Sequence, residues 1–313
     1  MKPISRLTRV FAVISSIILV AQILLVIRGR TLKHTLFPFD VPPPNLPPES
    51  QIPCNIVQTY QTSHIDQWRL ETGKLNRTDA LLSWRTLNTG HTHIVLNDSE
   101  ADNFMRIEMS GRVYTAFAKM PLMVLRADLL RYAMIWKWGG VYSDSDTICE
   151  QSINKWSGEY SNATLIVSVE WYKNTINWSQ EKYKKTQLVQ WTFAASANHP
   201  VFWTLVRRVT QTVRKTSIRD LLNTKKVEEV GGPEVFSAAV QEYLKSHGES
   251  LDSLKDGATD RVYFPNSRVL VLPWLSFAVR DSNRGTDLAF SSHKFAGFDK
   301  DVGWKNGKGK IIE

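Results

Sequence analysis

Residues 127–146 constrain this chain more than any other stretch. Ala127-Asp128-Leu129-Leu130-Arg131-Tyr132 has helical character and runs on to Trp138-Gly139-Gly140, and Val141-Tyr142-Ser143 follows at once. A glycine pair just past an apolar run ends a helix. A β-branched residue followed by an aromatic one opens a strand. That strand delivers Asp144 and Asp146, one residue apart, at its C-terminal end. In an open α/β sheet that is where ligands bind. Two carboxylates from one short turn suit a hard divalent cation, Mn2+ or Mg2+, and such a cation can hold the diphosphate of a nucleotide. The pattern Asp-x-Asp alone decides nothing, since Asp299-Lys300-Asp301 is a second copy. That copy has no apolar strand before it and a lysine between its carboxylates, and it reads as a polar turn.

The rest of the chain supports the same fold class. Strand-like segments at Asn55–Thr59, Thr92–Leu96, 141–144, 165–169 and Val269–Leu272 alternate with helical spacing at 120–138 and 200–213. The alternation predicts an α/β domain with a mostly parallel sheet. The 313 residues suffice for one large domain or two small ones.

The N-terminal region has a different character. Residues 10–27 carry no charge and are mostly apolar, and as a helix they span about 27 Å. We expect a transmembrane signal anchor there, behind a cytosolic tail at 1–9. A cleaved signal peptide is the rival reading; the run is long for one and leaves into Arg28-Gly29-Arg30 without a small-residue cleavage site. Residues 28–52 form a Pro-rich stem, with Pro38, Pro42, Pro43, Pro44, Pro47 and Pro48, a density that favours an extended spacer. Four acceptor sequons, at Asn76, Asn97, Asn162 and Asn177, all lie beyond the apolar run. They favour a lumenal head and a type II topology.

The net charge of +9 is compatible with nucleic acid, a membrane surface or small anions. No zinc-finger spacing, arginine-rich arm or nucleic-acid module is present, so no nucleic-acid partner is expected. Cys54 and Cys149 permit one bridge in an oxidising compartment, and the sequence leaves that open. The 11 tryptophans are read first as core, with sugar-stacking surfaces as a second use.

Three further residues bear on chemistry. Asp128 and Arg131 are spaced i, i+3 on a helix. An intrahelical ion pair worth about 0.2–0.5 kcal/mol is the plain account; contact with sugar hydroxyls and phosphate is the sharper one. His293, in Ser291-Ser292-His293-Lys294, could complete a Mn2+ shell begun by Asp146, although only tertiary folding could bring them together. Glu170, just after the 165–169 strand, is a carboxylate for the sugar side or equally a surface charge.

The block from Ala127 to Tyr132, followed by Gly139-Gly140-Val141-Tyr142-Ser143-Asp144-Ser145-Asp146-Thr147, resembles the signature of the DXD-containing sugar transferases of glycosyltransferase family 32. The likeness is nearest to the fungal Golgi initiation-specific α-1,6-mannosyltransferases. Gln58-Thr59-Tyr60, Val189-Gln190-Trp191-Thr192, Asn198-His199-Pro200, Gly231-Gly232-Pro233-Glu234-Val235-Phe236, Val271-Leu272-Pro273 and His293-Lys294-Phe295-Ala296-Gly297 resemble further family blocks, in the family's order.

The resemblance implies a GT-A fold (Rossmann-like) over 53–313, a retaining reaction, Mn2+ (or Mg2+) and GDP-mannose as donor. It places Asp144, Asp146 and His293 at the metal, Asp128 and Arg131 on the donor, and Gln58 and Thr59 near the nucleotide base. It also implies a Golgi membrane location, a mannose-containing glycan acceptor with an α-1,6 linkage, and the option of a mannosyltransferase complex. Two alternatives are a hexosyltransferase acting on a sphingolipid of the inositol phosphorylceramide type and a non-catalytic glycan-binding subunit. Gly297-Phe298-Asp299-Lys300 stands where the family usually has Gly-Ser-Trp-Lys, and Ala197-Asn198-His199-Pro200 where it has Pro-Gly-His-Pro. The first departure bears on acceptor choice.

Overall fold

A computed structural model of the chain describes residues 51–67, 75–172, 186–223, 227–255, 257–280 and 282–294. The chain divides into two units, 1–42 and 43–313, and every described residue lies in the second. Among the described residues no helix is long and apolar enough to cross a membrane. The expected tail, anchor and most of the stem lie outside them, as do Asn177, residues 295–297 and the second Asp-x-Asp.

The strands are β1 (Asn55–Thr59), β2 (Thr92–Leu96), β3 (Gly140–Ser143), β4 (Thr147–Cys149), β5 (Leu165–Trp171), β6 (Gln187–Leu188), β7 (Thr192–Ala195), β8 (Val262–Phe264), β9 (Val269–Leu272) and β10 (Ser291–His293). The helices are α1 (Leu75–Leu87), α2 (Asp98–Glu108), α3 (Gly111–Lys119), α4 (Met123–Trp138), α5 (Pro200–Lys215), α6 (Ile218–Leu221), α7 (Val227–Gly231) and α8 (Pro233–Ser246). The main sheet has the order β2-β1-β3-β7-β5-β9-β8, with β6 paired to β5. β2, β1, β3, β5 and β9 share one direction, while β7, β8 and β6 run against it. The sheet is thus mostly parallel, as expected, with an antiparallel β7 at its centre that the alternation did not announce. β7 is a buried strand of four residues, too short to show a period.

Side chains alternate across the sheet and build a core on each face. Val141, Ala194, Leu270 and Leu272 face one cluster with Trp84, Trp156, Phe277 and Phe290. Tyr142 and Phe193 face the other, where their rings lie 5.4 Å apart. Tyr132 of α4, Phe202 of α5 and Phe236 of α8 join them, Tyr132 and Phe236 nearly parallel at 6.1 Å. Among the described tryptophans Trp84, Trp136, Trp156 and Trp203 are core, as the first reading expects, while Trp138, Trp171 and Trp191 are half-buried.

Local chemistry sets the element ends. α4 starts at Met123 rather than Met120, because Met120 precedes Pro121 and takes an extended conformation. The glycine pair is required twice over. Gly139 (φ +62°) ends α4, and a Cβ there would meet the Ala197 amide nitrogen at 2.5 Å; Gly140 (φ +97°) passes so close to β1 that a Cβ would lie 2.5 Å from the Asn55 carbonyl oxygen. Asn97 caps α2 in a reciprocal capping box with Glu100. Asn162 is exposed, and Asn76 lies in α1. Cys54 and Cys149 are both free thiols, one exposed and one buried.

Candidate active site

Asp144 lies one residue past β3. Its amide donates to the Trp191 carbonyl (2.9 Å). Its own carbonyl accepts from the Thr147 amide (3.1 Å) and the Thr147 hydroxyl (2.6 Å), closing a turn that carries Asp146. Gln58 supports the same carbonyl through Nε2 (3.3 Å), while its Oε1 pairs with His93 Nε2 (2.7 Å). Gln58 is fully buried. Thr59 ends β1 at the adjacent C-terminal strand end.

Alternation along β3 puts Asp144 on the same face as Tyr142, toward α4. The Tyr142 hydroxyl donates to Asp144 Oδ1 (2.6 Å). Arg131 lies 3.4 Å from that oxygen and 3.3 Å from Asp128 Oδ1. Its guanidinium stacks 5.1 Å from the Tyr142 ring centre and donates to the Gln190 carbonyl (3.2 Å). The i, i+3 pair therefore exists, and it also holds Asp144. Gln190 Nε2 lies within hydrogen-bonding distance of Asp128 Oδ1 (3.2 Å), the Tyr132 hydroxyl (2.6 Å) and the Gly231 carbonyl (2.7 Å). Tyr132 donates to that carbonyl as well (2.8 Å). At Gly231 a Cβ would sit 3.1 Å from the Asp128 Cβ, so a side chain there would press on Asp128.

Burial sets the charge state of this cluster. It pushes the Asp128 carboxyl up to about 7, against the opposing pull of Arg131. Burial also works to lower the Arg131 pKa, but Asp144, Tyr142 and Asp128 together raise it, so the guanidinium stays charged.

Tertiary folding brings the distant histidine in. β10 pairs antiparallel with β4 in a register that sets His293 opposite Thr147. The Lys294 amide donates to the Asp146 carbonyl (2.9 Å), and His293 Nε2 lies 3.4 Å from Asp146 Oδ1. Trp191 walls the imidazole, with ring centres 4.9 Å apart. One ligand atom from each of Asp144, Asp146 and His293 lies within 4.8 Å of the others, and all three residues are half-buried. Two carboxylates and an imidazole are a donor set for a divalent cation. Burial lowers the His293 pKa, against Asp146 and Asp144, which favours the neutral imidazole that ligation requires.

Glu170 stands apart from that group. β5 runs on to Trp171, so Glu170 is a strand residue, and it accepts from Gln187 Nε2 (2.8 Å) at the same sheet edge as Asp144. Tyr142, Gln190, Trp191 and Gly231 are the structural partners that reasoning from the sequence missed. Each stood within a block quoted for the resemblance, but only the fold shows what it touches.

A family profile described as the glycosyltransferase sugar-binding region containing the DXD motif matches residues 76–163, which hold α4, β3 and both aspartates. The initiation-specific α-1,6-mannosyltransferase of Schizosaccharomyces pombe is 31% identical over 86% of this chain and 69% of its own length. The chain belongs to glycosyltransferase family 32. Two further relatives of this family member are the initiation-specific α-1,6-mannosyltransferase of Candida albicans, 26% identical over 87% of the chain and 77% of its own length, and mannosyl phosphorylinositol ceramide synthase CSH1 of Saccharomyces cerevisiae, 32% identical over 34% of the chain and 26% of its own length. Its enzyme class is glycosyltransferase, and residues 76–163 hold one Asp-x-Asp, at Asp144 and Asp146.

Proposed function

We propose that the chain is a retaining α-1,6-mannosyltransferase of the Golgi membrane, with a GT-A catalytic domain at 53–313, that moves mannose from GDP-mannose to a mannose-containing glycan. The observation that carries this reading is the half-buried Asp144–Asp146–His293 group at the C-terminal end of β3, in a chain whose long relatives are named α-1,6-mannosyltransferases. These three residues would hold Mn2+ or Mg2+. A bound divalent cation would neutralise the diphosphate as it leaves.

The chain's own residues supply the rest. Arg131 fixes Asp144 and brings positive charge to the diphosphate side. Asp128 is held to serve the donor sugar, and Gln58 with Thr59 borders the nucleotide half of the sheet. The C1–O bond to the β-phosphate breaks, an acceptor hydroxyl oxygen bonds to C1, and its proton passes to a diphosphate oxygen of the departing GDP. Retention proceeds through a covalent intermediate or by same-face attack; Glu170 is the carboxylate to test for the first route. The apolar run at 10–27 and the four sequons support a type II anchor with a lumenal head. A mannosyltransferase complex would be compatible with that layout.

The test is the purified full chain with GDP-mannose, UDP-galactose and UDP-GlcNAc, with and without Mn2+, beside Asp146→Asn. Mn2+-dependent turnover of GDP-mannose that the variant loses is the expected result. Turnover of a UDP-sugar instead overturns the donor. The match to the ceramide synthase favours one second reading, transfer to an inositol phosphorylceramide, and product formed on that lipid but on no oligomannose acceptor would establish it. Absence of both turnover and Mn2+-dependent nucleotide binding would leave the non-catalytic subunit.

A further inference from the structure

Trp274 is the one aromatic side chain among the described residues that is exposed, at 45% of its surface. The other large exposed apolar side chains are aliphatic or methionine, and scattered singly they need no account. Trp274 is different because the chain goes to some expense to present it. It follows the C-terminal end of β9, on the sheet edge where Asp144 also emerges. The next residue, Leu275, has φ +71°, a strained conformation for a side chain of that size.

Hydrogen bonds on every side hold the segment. Ser168 Oγ of β5 donates to the Pro273 carbonyl (3.0 Å), and the Ser276 carbonyl accepts from the Phe290 (2.9 Å) and Ser291 (3.1 Å) amides. The Phe277 carbonyl accepts from Trp191 Nε1 (2.7 Å), the same Trp191 that receives the Asp144 amide and walls His293. The loop is thus bolted to the strand that ends in His293. Arg280 Cζ lies over the Trp274 ring, 5.8 Å from its centre, so the guanidinium backs one face of the indole and steadies it.

We propose that Trp274, backed by Arg280, is an acceptor subsite: the indole face away from the guanidinium stacks on the apolar C–H face of a hexose of the acceptor glycan. The sheet order decides for acceptor over donor. On the donor placement proposed above the nucleotide lies over β2-β1-β3, and Trp274 emerges from β9, three strands beyond β3 on the other side. At about 4.8 Å per strand that is roughly 14 Å from the DXD turn along the sheet edge. That offset places the contact on a sugar unit away from the one receiving the transfer. The subsite rests on the reading above that the chain transfers a hexose to a glycan.

The experiment uses the full chain and two measurements. In the first, equilibrium binding of linear α-1,6-linked oligomannose is compared for the wild type, Trp274→Ala and Trp274→Tyr, with a gluco-oligosaccharide as control. In the second, KM for acceptor and for GDP-mannose are measured separately. Expected are an approximately tenfold loss of oligomannose binding in Trp274→Ala, substantial recovery in Trp274→Tyr, and a matching rise in acceptor KM while donor KM moves less than twofold. Equal binding in all three variants overturns the subsite. A rise in donor KM with acceptor KM unchanged overturns it too, and reassigns the indole to the nucleotide base. If GDP-mannose proves not to be the donor, the binding comparison still decides the subsite.

Discussion

Helix α4 and the turn after β3 bring charged residues to one corner of the fold, and they hold them on opposite terms. Asp128 and Arg131 are buried, and they are enclosed by Gln190, Tyr132 and Tyr142. Asp144, Asp146 and His293 are only half-buried, and they converge within 4.8 Å. The enclosed pair holds Asp144 in place and borders the proposed donor site; the converging, partly open group keeps ligand atoms that could hold a cation. Asp144 belongs to both, with Oδ1 taken by Tyr142 and Arg131. The carboxylate is thereby aimed before any ligand arrives.

The contrast is broken most severely at the open group. Asp146→Asn should lower Mn2+-dependent donor turnover by about three orders of magnitude, about 4 kcal/mol of transition-state stabilisation. Its melting temperature should stay within about 2 °C of wild type, measured by calorimetry. Turnover within tenfold of wild type would show that the group is not the metal site.

The enclosed pair should respond in the opposite sense. Arg131→Met keeps the volume and leaves Asp128 buried without its partner, so urea unfolding should show a loss of about 4 kcal/mol. Asp128→Asn should cost less than half as much, because a carboxyl raised to about 7 is partly neutral already at pH 7. Equal costs for the two substitutions would argue against an orienting unit.

A third prediction uses pH on the enclosed side. His199 caps α5 through Nδ1, and burial depresses its pKa to about 3. Its ordinary value is near 6.5, so as pH falls the unfolded chain takes up the proton first. The stability it confers is complete above about pH 6.5 and drains away toward pH 3. His199→Asn retains a capping side chain and should flatten that slope, by at most about 3 kcal/mol between pH 6.5 and pH 4. Parallel stability curves for the two proteins would refute it.

The smallest effect should come from the residue that joins the two clusters. Tyr142→Phe removes one hydrogen bond to Asp144 and should weaken Mn2+ binding about tenfold. Excess Mn2+ should restore turnover. An affinity unchanged by the substitution would mean that Arg131 alone aims the carboxylate.

Much of this corner was legible in the chain before folding. The glycine pair announces the end of α4 because only glycine takes those φ values beside Asn55 and Ala197. The carboxylates at a strand terminus point to a cation because few other uses need two oxygens from one turn. The missing parts were non-local. β7 is too short for its period to show, and its reversed direction follows from which neighbours it pairs with. The β10–β4 register is a property of two strands 142 or more residues apart, since Ser291 stands opposite Cys149, with no local signal in either. Gln190 and Tyr142 look like ordinary polar and core residues until Asp128 and Asp144 are placed beside them.

What the sequence by itself determined was therefore local: the helix, its glycine stop, the strand and the DXD turn, each written in short-range sterics and side-chain chemistry. What only the tertiary structure decided was convergence. Pairing of β10 with β4 brings His293 to Asp146, burial separates an enclosed arginine from carboxylates that stay partly open, and the loop after β9 turns Trp274 outward. Those outcomes depend on contacts between residues far apart in the chain, where the dielectric and the geometry come from the packed fold and not from the neighbours in sequence.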